Sequence, residues 1–275
     1  MTMSDVASPS EAPARQRAEG RIALVVGRAG VSHIAEAGSA RVRLPRHHGP
    51  GIEAVLINTA GGIAGGDRFA VAVEAGSEAD LAVSTAAAEK IYRGEQEPAE
   101  LAIELSVAAG ARLAWLPQET ILFDRARLHR RLDAEVAAEG ALVLHEAVVF
   151  GRLARGERLA AATFADRWRV RRAGRLVYAD TLRLEGDVAE LLDRPAAMGE
   201  ARALATVLYV APDAEARLDE ARTYLAAAES ECGASAWNGM LLARFLAADG
   251  AVLRRDAARL LIGLRGRPLP RVWNG

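Results

Sequence analysis

Three segments of this chain end in the same way. Val73-Glu74-Ala75-Gly76, Val107-Ala108-Ala109-Gly110 and Val136-Ala137-Ala138-Glu139-Gly140 each close an apolar run on a glycine turn, and a new strand opens near Leu81, Leu113 or Leu142. An interval of about 30 to 34 residues between copies is the spacing of stacked coils, in which each coil covers the apolar face of its neighbour. A chain of 275 residues buries a large core without disulfide or metal staples. The expected fold class is therefore mainly β, with a layered architecture of strands.

Apolar alternation predicts strands over 21–26, 40–44, 54–57, 69–74, 80–85, 99–107, 112–117, 128–136, 141–150, 158–165, 167–172 and 176–184. After residue 186 the pattern changes. Residues 213–228 have helical spacing with Asp213 as N-cap, 236–246 reads as a strand broken at Asn238-Gly239, and 251–264 reads as a helix. Pro268 and Pro270 keep the closing segment extended. The expected organisation is one domain over 20–275, β-rich to 185, with a small α/β C-terminal section of about two helices. Residues 1–19 lack the apolar core of a signal peptide and read as a disordered tail.

A net charge of -1 removes any global basic field that would recruit nucleic acid or an anionic membrane. No apolar run approaches the roughly 18 residues of a spanning helix. Cys232 is the only cysteine, which excludes an internal disulfide framework and a thiolate zinc site and suits a reducing, cytoplasmic setting. Arginine abounds, yet Lys90 is the only lysine. A lone ammonium in an arginine-rich chain marks a position that suits a compact charge rather than a planar one. Asn58 and Gln118 also interrupt the compositional bias.

Asn58-Thr59-Ala60-Gly61-Gly62-Ile63-Ala64-Gly65-Gly66-Asp67 lies between two strand-like runs and invites reading as a phosphate cradle. That reading fails. The spacing is not G-x-G-x-x-G, no Gly-Lys-Ser/Thr follows, the next element is a strand, and Asp67 would repel a phosphate. His145-Glu146 does not continue into a zinc-binding pair, since Val149 stands where the second histidine belongs. His47-His48 read as a solvated loop pair, and His33 and His129 are isolated. No nucleophile elbow is present, and Ser84-Thr85 and Cys232 have no partner base in the sequence. Leu116-Pro117-Gln118-Glu119-Thr120-Ile121-Leu122-Phe123-Asp124 sets polar residues among apolar ones, as a bulged strand or as a polar patch facing a cavity or partner. Arg167, Arg169 and Arg171 alternate along a strand and share a face, which is either solvated or a partner surface.

Taken together, the distinctive stretches resemble the urease accessory protein D family, called UreD, or UreH in some lineages. The resemblance rests on Asn58, Gly61, Gly62, Gly65, Gly66 and Asp67, then Lys90, Tyr92 and Arg93, then Pro117, Gln118 and Glu119. Gly151-Arg152, Gly156-Glu157 and Pro270-Arg271-Val272-Trp273 complete the series in the family's order. It implies a mainly β fold, a layered, β-helix-like stack of strands with a few α-helices, and a non-enzymatic scaffold that takes part in GTP-dependent nickel insertion into urease. It further implies a complex with UreF and the GTPase UreG docked on the urease structural subunits, with UreE as nickel donor. No cofactor is held; nickel is in transit.

The resemblance also implies an internal, water-filled passage for the metal. Weak oxygen ligands suit such a route because they release the ion again. By motif position the passage carboxylates are expected to be Asp67, Glu146 and Asp180. Each could equally cap a turn or pair with an arginine, which for Asp67 beside glycine is ordinary turn chemistry. Two other classes stand beside this one: a β-helix carbohydrate-active enzyme with paired carboxylates, and a purely structural interaction module. Aromatic residues make up only 5% of the chain and are not clustered, which argues against a sugar-binding groove.

Overall fold

The computed structural model describes residues 17–46, 49–94 and 97–274. His47, His48 and residues 1–16 of the expected tail lie outside these. In chain order the first strands are β1 (Glu19–Gly27), β2 (Gly30–Gly38), β3 (Ala40–Arg43), β4 (Ile52–Asn58), β5 (Arg68–Ala75) and β6 (Asp80–Thr85). Then come β7 (Glu89–Ile91), β8 (Ala99–Val107), β9 (Arg112–Leu116), β10 (Thr120–Leu122), β11 (Ala126–Val136) and β12 (Ala141–Phe150). The remainder comprises β13 (Ala161–Arg172), β14 (Arg175–Asp187), α1 (Ala189–Asp193), β15 (Ala203–Val210), α2 (Leu218–Leu225), β16 (Glu231–Trp237), β17 (Met240–Ala247) and α3 (Gly250–Arg265).

The strands form two facing sheets. One is ordered β14-β13-β11-β8-β5-β1-β2; the other runs β16-β17-β15-β12-β9-β6-β4-β3, with β7 and β10 attached to it through β12. Their centres are parallel, so each coil contributes one strand to each sheet. The repeat seen in the sequence is this stacking. Leu81 stands beside Leu113 and Leu113 beside Leu142 in one sheet, while Ala75 stands beside Val107 and Val107 beside Val136 in the other. The ends are antiparallel, closed by β2 and β14 in the first sheet and by β3 and the β15-β17-β16 meander in the second.

Alternation decides what each face buries. In β11, Leu132, Ala134 and Val136 point inward to meet Leu113, Trp115, Leu142 and Leu144 of the opposite sheet. The outer face of the second sheet is also apolar and packs against α2, α3 and Trp273. A third cluster, including Ile63, Ile91, Phe150 and Phe164, fills the side where the glycine loop and β7 turn over the stack.

Both expected helices are present as α2 and α3, and α1 is a short third among the described residues. Several finer expectations need correction. Asp213 does not cap α2; it accepts a hydrogen bond from the Tyr209 hydroxyl at 2.8 Å, and a 3-10 turn at Glu215–Arg217 leads into the helix. The cap of α3 is Asp249, which accepts from Ala251 N at 2.8 Å. The expected strands at 158–165 and 167–172 are one strand, β13. The closing segment does not stay extended but ends in a 3-10 turn at Arg271–Asn274. Residues 17–19 belong to the fold, since Ala18 bonds to Asp67 and Glu19 opens β1. Two strands gave no alternation to read: β15 is buried on nearly all sides and β2 is exposed on both faces. Asn238-Gly239 is the two-residue hairpin turn of β16 and β17, with φ of 54° and 76°. Among the described residues no helix is long and apolar enough to cross a membrane.

Candidate functional site

The glycine loop is a folded strap rather than a cradle. Ile63 N donates to Lys90 O and Tyr92 N to Ile63 O, each at 2.8 Å, so the loop lies along β7. Asn58 organises the turn: its Oδ1 accepts from Ala60 N at 2.9 Å, and its Nδ2 donates to Gly62 O at 3.0 Å and Glu89 Oε1 at 3.1 Å. The Tyr92 hydroxyl donates to Gly61 O at 2.8 Å, and its ring meets Phe123 edge-on at 5.2 Å. The guanidinium of Arg152, which pairs with Glu157, covers Phe123 at 4.6 Å. Gly62 must be glycine, because a Cβ there would stand 2.4 Å from the Tyr92 ring. Asp67, buried, accepts from Ala18 N and Ala64 N, both at 2.8 Å, and so ties the first strand to the loop. Gly65 O accepts from Arg17, Gly66 packs against the Arg17 side chain, and Arg93 bridges to Ala126.

The second motif is a socket for the end of the chain. Gln118 Oε1 accepts from Arg254, and its Nε2 donates to Val272 O at 3.1 Å. Arg254 also donates to Trp273 O at 2.8 Å, stands 3.5 Å from Glu119 and covers the Trp273 ring at 4.9 Å. His145 also meets that ring, edge to face with centroids 5.0 Å apart. It is buried, and burial, with Arg254 and Arg130 adding and a backbone hydrogen bond with Pro117 opposing, lowers its pKa to about 3.

The most unusual cluster lies between the sheets. Strand parity turns Arg130 of β11 and Asp166 of β13 inward, as neighbours in register, among apolar residues. Arg130 Nε donates to Asp166 Oδ1 at 2.9 Å and its Nη2 to Oδ2 at 2.6 Å. Its Nη1 donates to Glu146 of β12 in the facing sheet and to Thr120 Oγ1 at 3.1 Å. Each carboxylate is braced by an indole: Trp115 donates to Glu146 at 2.9 Å and Trp168 to Asp166 at 3.1 Å. Burial pulls the Arg130 pKa down, but Asp166 and Glu146 outweigh it and leave the guanidinium firmly charged. Burial raises the Glu146 pKa, opposed chiefly by Arg130.

Two cavities share this cluster. The first, about 230 Å³, is bounded by Arg130, Glu146, Thr120, Trp115, Pro117 and Gln118 within, and by Asn58, Gly61, Glu89 and Lys90 toward the outside. Burial pushes the Glu89 carboxyl up to about 7, against the Asn58 hydrogen bond and the Lys90 charge. The second, about 240 Å³, starts at Arg130, Glu146 and Asp166 and reaches Tyr178, Asp180, Thr206 and Arg244. Asp180 pairs there with Arg244 and accepts from the Tyr178 hydroxyl at 3.0 Å.

Of the expected passage carboxylates, Glu146 and Asp180 line the same cavity, and Asp67 lines neither. Arg130, Asp166 and Glu89 were missed. Parity held the signal for the first two, since a charged residue at the centre of an inward apolar row such as Leu128-x-Arg130-x-Leu132 must find a partner. Among the described residues no group of three or more His, Cys, Asp and Glu side chains is arranged to hold a metal ion. Arg167, Arg169 and Arg171 lie on the outer face of the first sheet, with Arg171 3.6 Å from Glu135.

The chain matches known proteins over nearly its whole length. A family model described as UreD urease accessory protein matches residues 16–274. The urease accessory protein UreD of Methylobacterium sp. (strain 4-46) is 56% identical, covering 98% of this chain and 99% of its own. That of Azorhizobium caulinodans is 54% identical over 95% of this chain and 98% of its own. That of Xanthobacter autotrophicus is 53% identical over 98% and 96%. With the glycine strap, the Gln118 socket and the closing Trp273 all in place, the chain belongs to the UreD urease accessory protein family.

Proposed function

We propose that this protein acts in urease maturation as a non-catalytic subunit that passes nickel to the apo-enzyme. It works in a complex with UreF and UreG on the urease structural subunits, with UreE upstream and in the cytoplasm. GTP hydrolysis belongs to UreG, in keeping with the absence of any nucleotide motif in this sequence. Nickel is cargo here, not a resident cofactor.

The observation that carries the reading is a line of carboxylates along two cavities that meet inside the sandwich. Glu89 stands near the outer part of the first, Glu146 and Asp166 at the junction, and Asp180 at the far part of the second. Oxygen ligands met one or two at a time attract a divalent cation and release it. Asp67 serves the same function indirectly, by holding the first strand and the glycine strap together.

The test is nickel per urease in a strain lacking this protein, complemented with the wild-type chain or with Glu146→Gln/Asp180→Asn. The deletion is expected to leave soluble, nickel-poor urease, and the double variant to assemble while loading several-fold less metal. Nickel-replete urease in the deletion strain at ordinary nickel supply rules out the maturation role. Full loading by the double variant rules out the passage alone.

A further inference from the structure

We propose that Arg130 is the gate of this passage: its guanidinium fills the place between Glu146 and Asp166 that a divalent cation would occupy, and the two exchange there. The inference rests on the passage reading above.

The geometry points to a hinged plug rather than a symmetric staple. Two guanidinium nitrogens hold Asp166 side-on, at 2.9 and 2.6 Å, on the adjacent strand of the same sheet. Only Nη1 reaches across the gap to Glu146. This cross-sheet contact lies where the two cavities adjoin, since Arg130 and Glu146 line both. The same nitrogen also donates to Thr120 Oγ1 at 3.1 Å, beside the first cavity, so the arm has a second acceptor when it leaves the carboxylate.

The carboxylates keep their places without the plug. Trp115 and Trp168 donate to them at 2.9 and 3.1 Å, which fixes their orientation. Two braced carboxylates facing one point offer hard anionic oxygens, the ligand type that divalent cations take. A divalent ion brings one more positive charge to the two carboxyl groups than the guanidinium does. An arriving cation therefore competes for the site, and the tethered guanidinium, returning at high local concentration, expels it. Passage without trapping follows from the exchange.

A merely structural ion pair and a gate differ in one readout. Loss of a staple lowers stability; loss of a gate also uncovers a cation site. The test uses the full-length chain with Arg130→Met and the milder Arg130→Lys, whose single ammonium cannot span both carboxylates. Ni²⁺ alone is titrated calorimetrically, and thermal unfolding is followed with and without it. Both variants are expected to bind one Ni²⁺ per chain at least tenfold more tightly than wild type and to gain thermal stability from it. The triple variant Arg130→Met/Glu146→Gln/Asp166→Asn is expected to lose that binding. Should Arg130→Met not fold, Arg130→Lys decides. A folded Arg130 variant that binds Ni²⁺ no better than wild type overturns the gate. Thr206→Phe, which narrows the second cavity beside Glu146 and leaves Arg130 in place, separates the two ideas. Unimpaired nickel delivery to urease by Thr206→Phe overturns the passage itself. Impaired delivery by Thr206→Phe, with Ni²⁺ binding unchanged in the Arg130 variants, overturns the gate alone.

Discussion

The indole nitrogen of Trp273 donates to the main-chain carbonyl of Leu116 at 3.1 Å, joining the last turn of the chain to a central strand 157 residues earlier. Arg254, Gln118 and His145 surround that contact, so the C-terminal segment is part of the core rather than a trailing end. Trp273→Ala empties a buried site and is expected to cost about 3–5 kcal/mol in urea unfolding. A loss below about 1 kcal/mol would mean that the segment does not hold the sheet and the helices together.

His145 gives the fold an acid sensitivity. Its pKa is lowered to about 3 by burial, from 6.5, so the folded state keeps it neutral. The contribution is complete above pH 6.5 and is lost as pH falls from there toward 3, at up to ~1.4 kcal/mol per pH unit. His145→Phe keeps the ring against Trp273 and removes the titration. The difference in urea midpoint between wild type and His145→Phe is expected to shift in the variant's favour between pH 7 and pH 5. A constant difference across that range would show that His145 is not buried neutral.

Glu89 acts with the opposite sign. Burial raises its carboxyl from 4.5 to about 7, so the folded state binds a proton that the unfolded chain has released. That contribution is fully present below pH 4.5 and is lost as pH rises through about 7. Glu89→Gln is expected to abolish this part of the pH profile. Carboxyl infrared absorbance checks it directly, as a protonated band at pH 6 that is missing from the variant. Were the band absent from the wild type at pH 6, the carboxyl would be ionised and the assignment wrong.

Gly62→Ala sets a methyl 2.4 Å from the Tyr92 ring and 2.9 Å from Lys90 O. It is expected to destabilise by about 1–3 kcal/mol, as overpacking does. Because the closest clash is with one side chain, the cost should be smaller in a Tyr92→Ala background. Equal costs in the two backgrounds would place the strain in the backbone alone.

The sequence by itself determined the class of fold and the family. Coil-to-coil stacking depends on local alternation and turn placement, so Leu81, Leu113 and Leu142 announced their alignment through spacing alone. The motifs at Asn58, Lys90 and Gln118 stood out because they broke a strong compositional bias. Elements without amphipathic alternation stayed hidden: β15 is buried on both sides and β2 is exposed on both.

What tertiary structure decided is which charges share a space. Arg130, Glu146 and Asp166 sit on three strands of two sheets, and no local pattern states that they converge. The same holds for Asp67 and Asp180, each a carboxylate in a motif or on a strand. One became a tether for Ala18 and Ala64, the other the wall of a cavity beside Arg244. Residue type sets what chemistry a side chain offers. Whether that offer goes to a backbone amide, a guanidinium or a passing cation depends on which strands the coils bring face to face, a contact between distant segments that short-range periodicity does not encode.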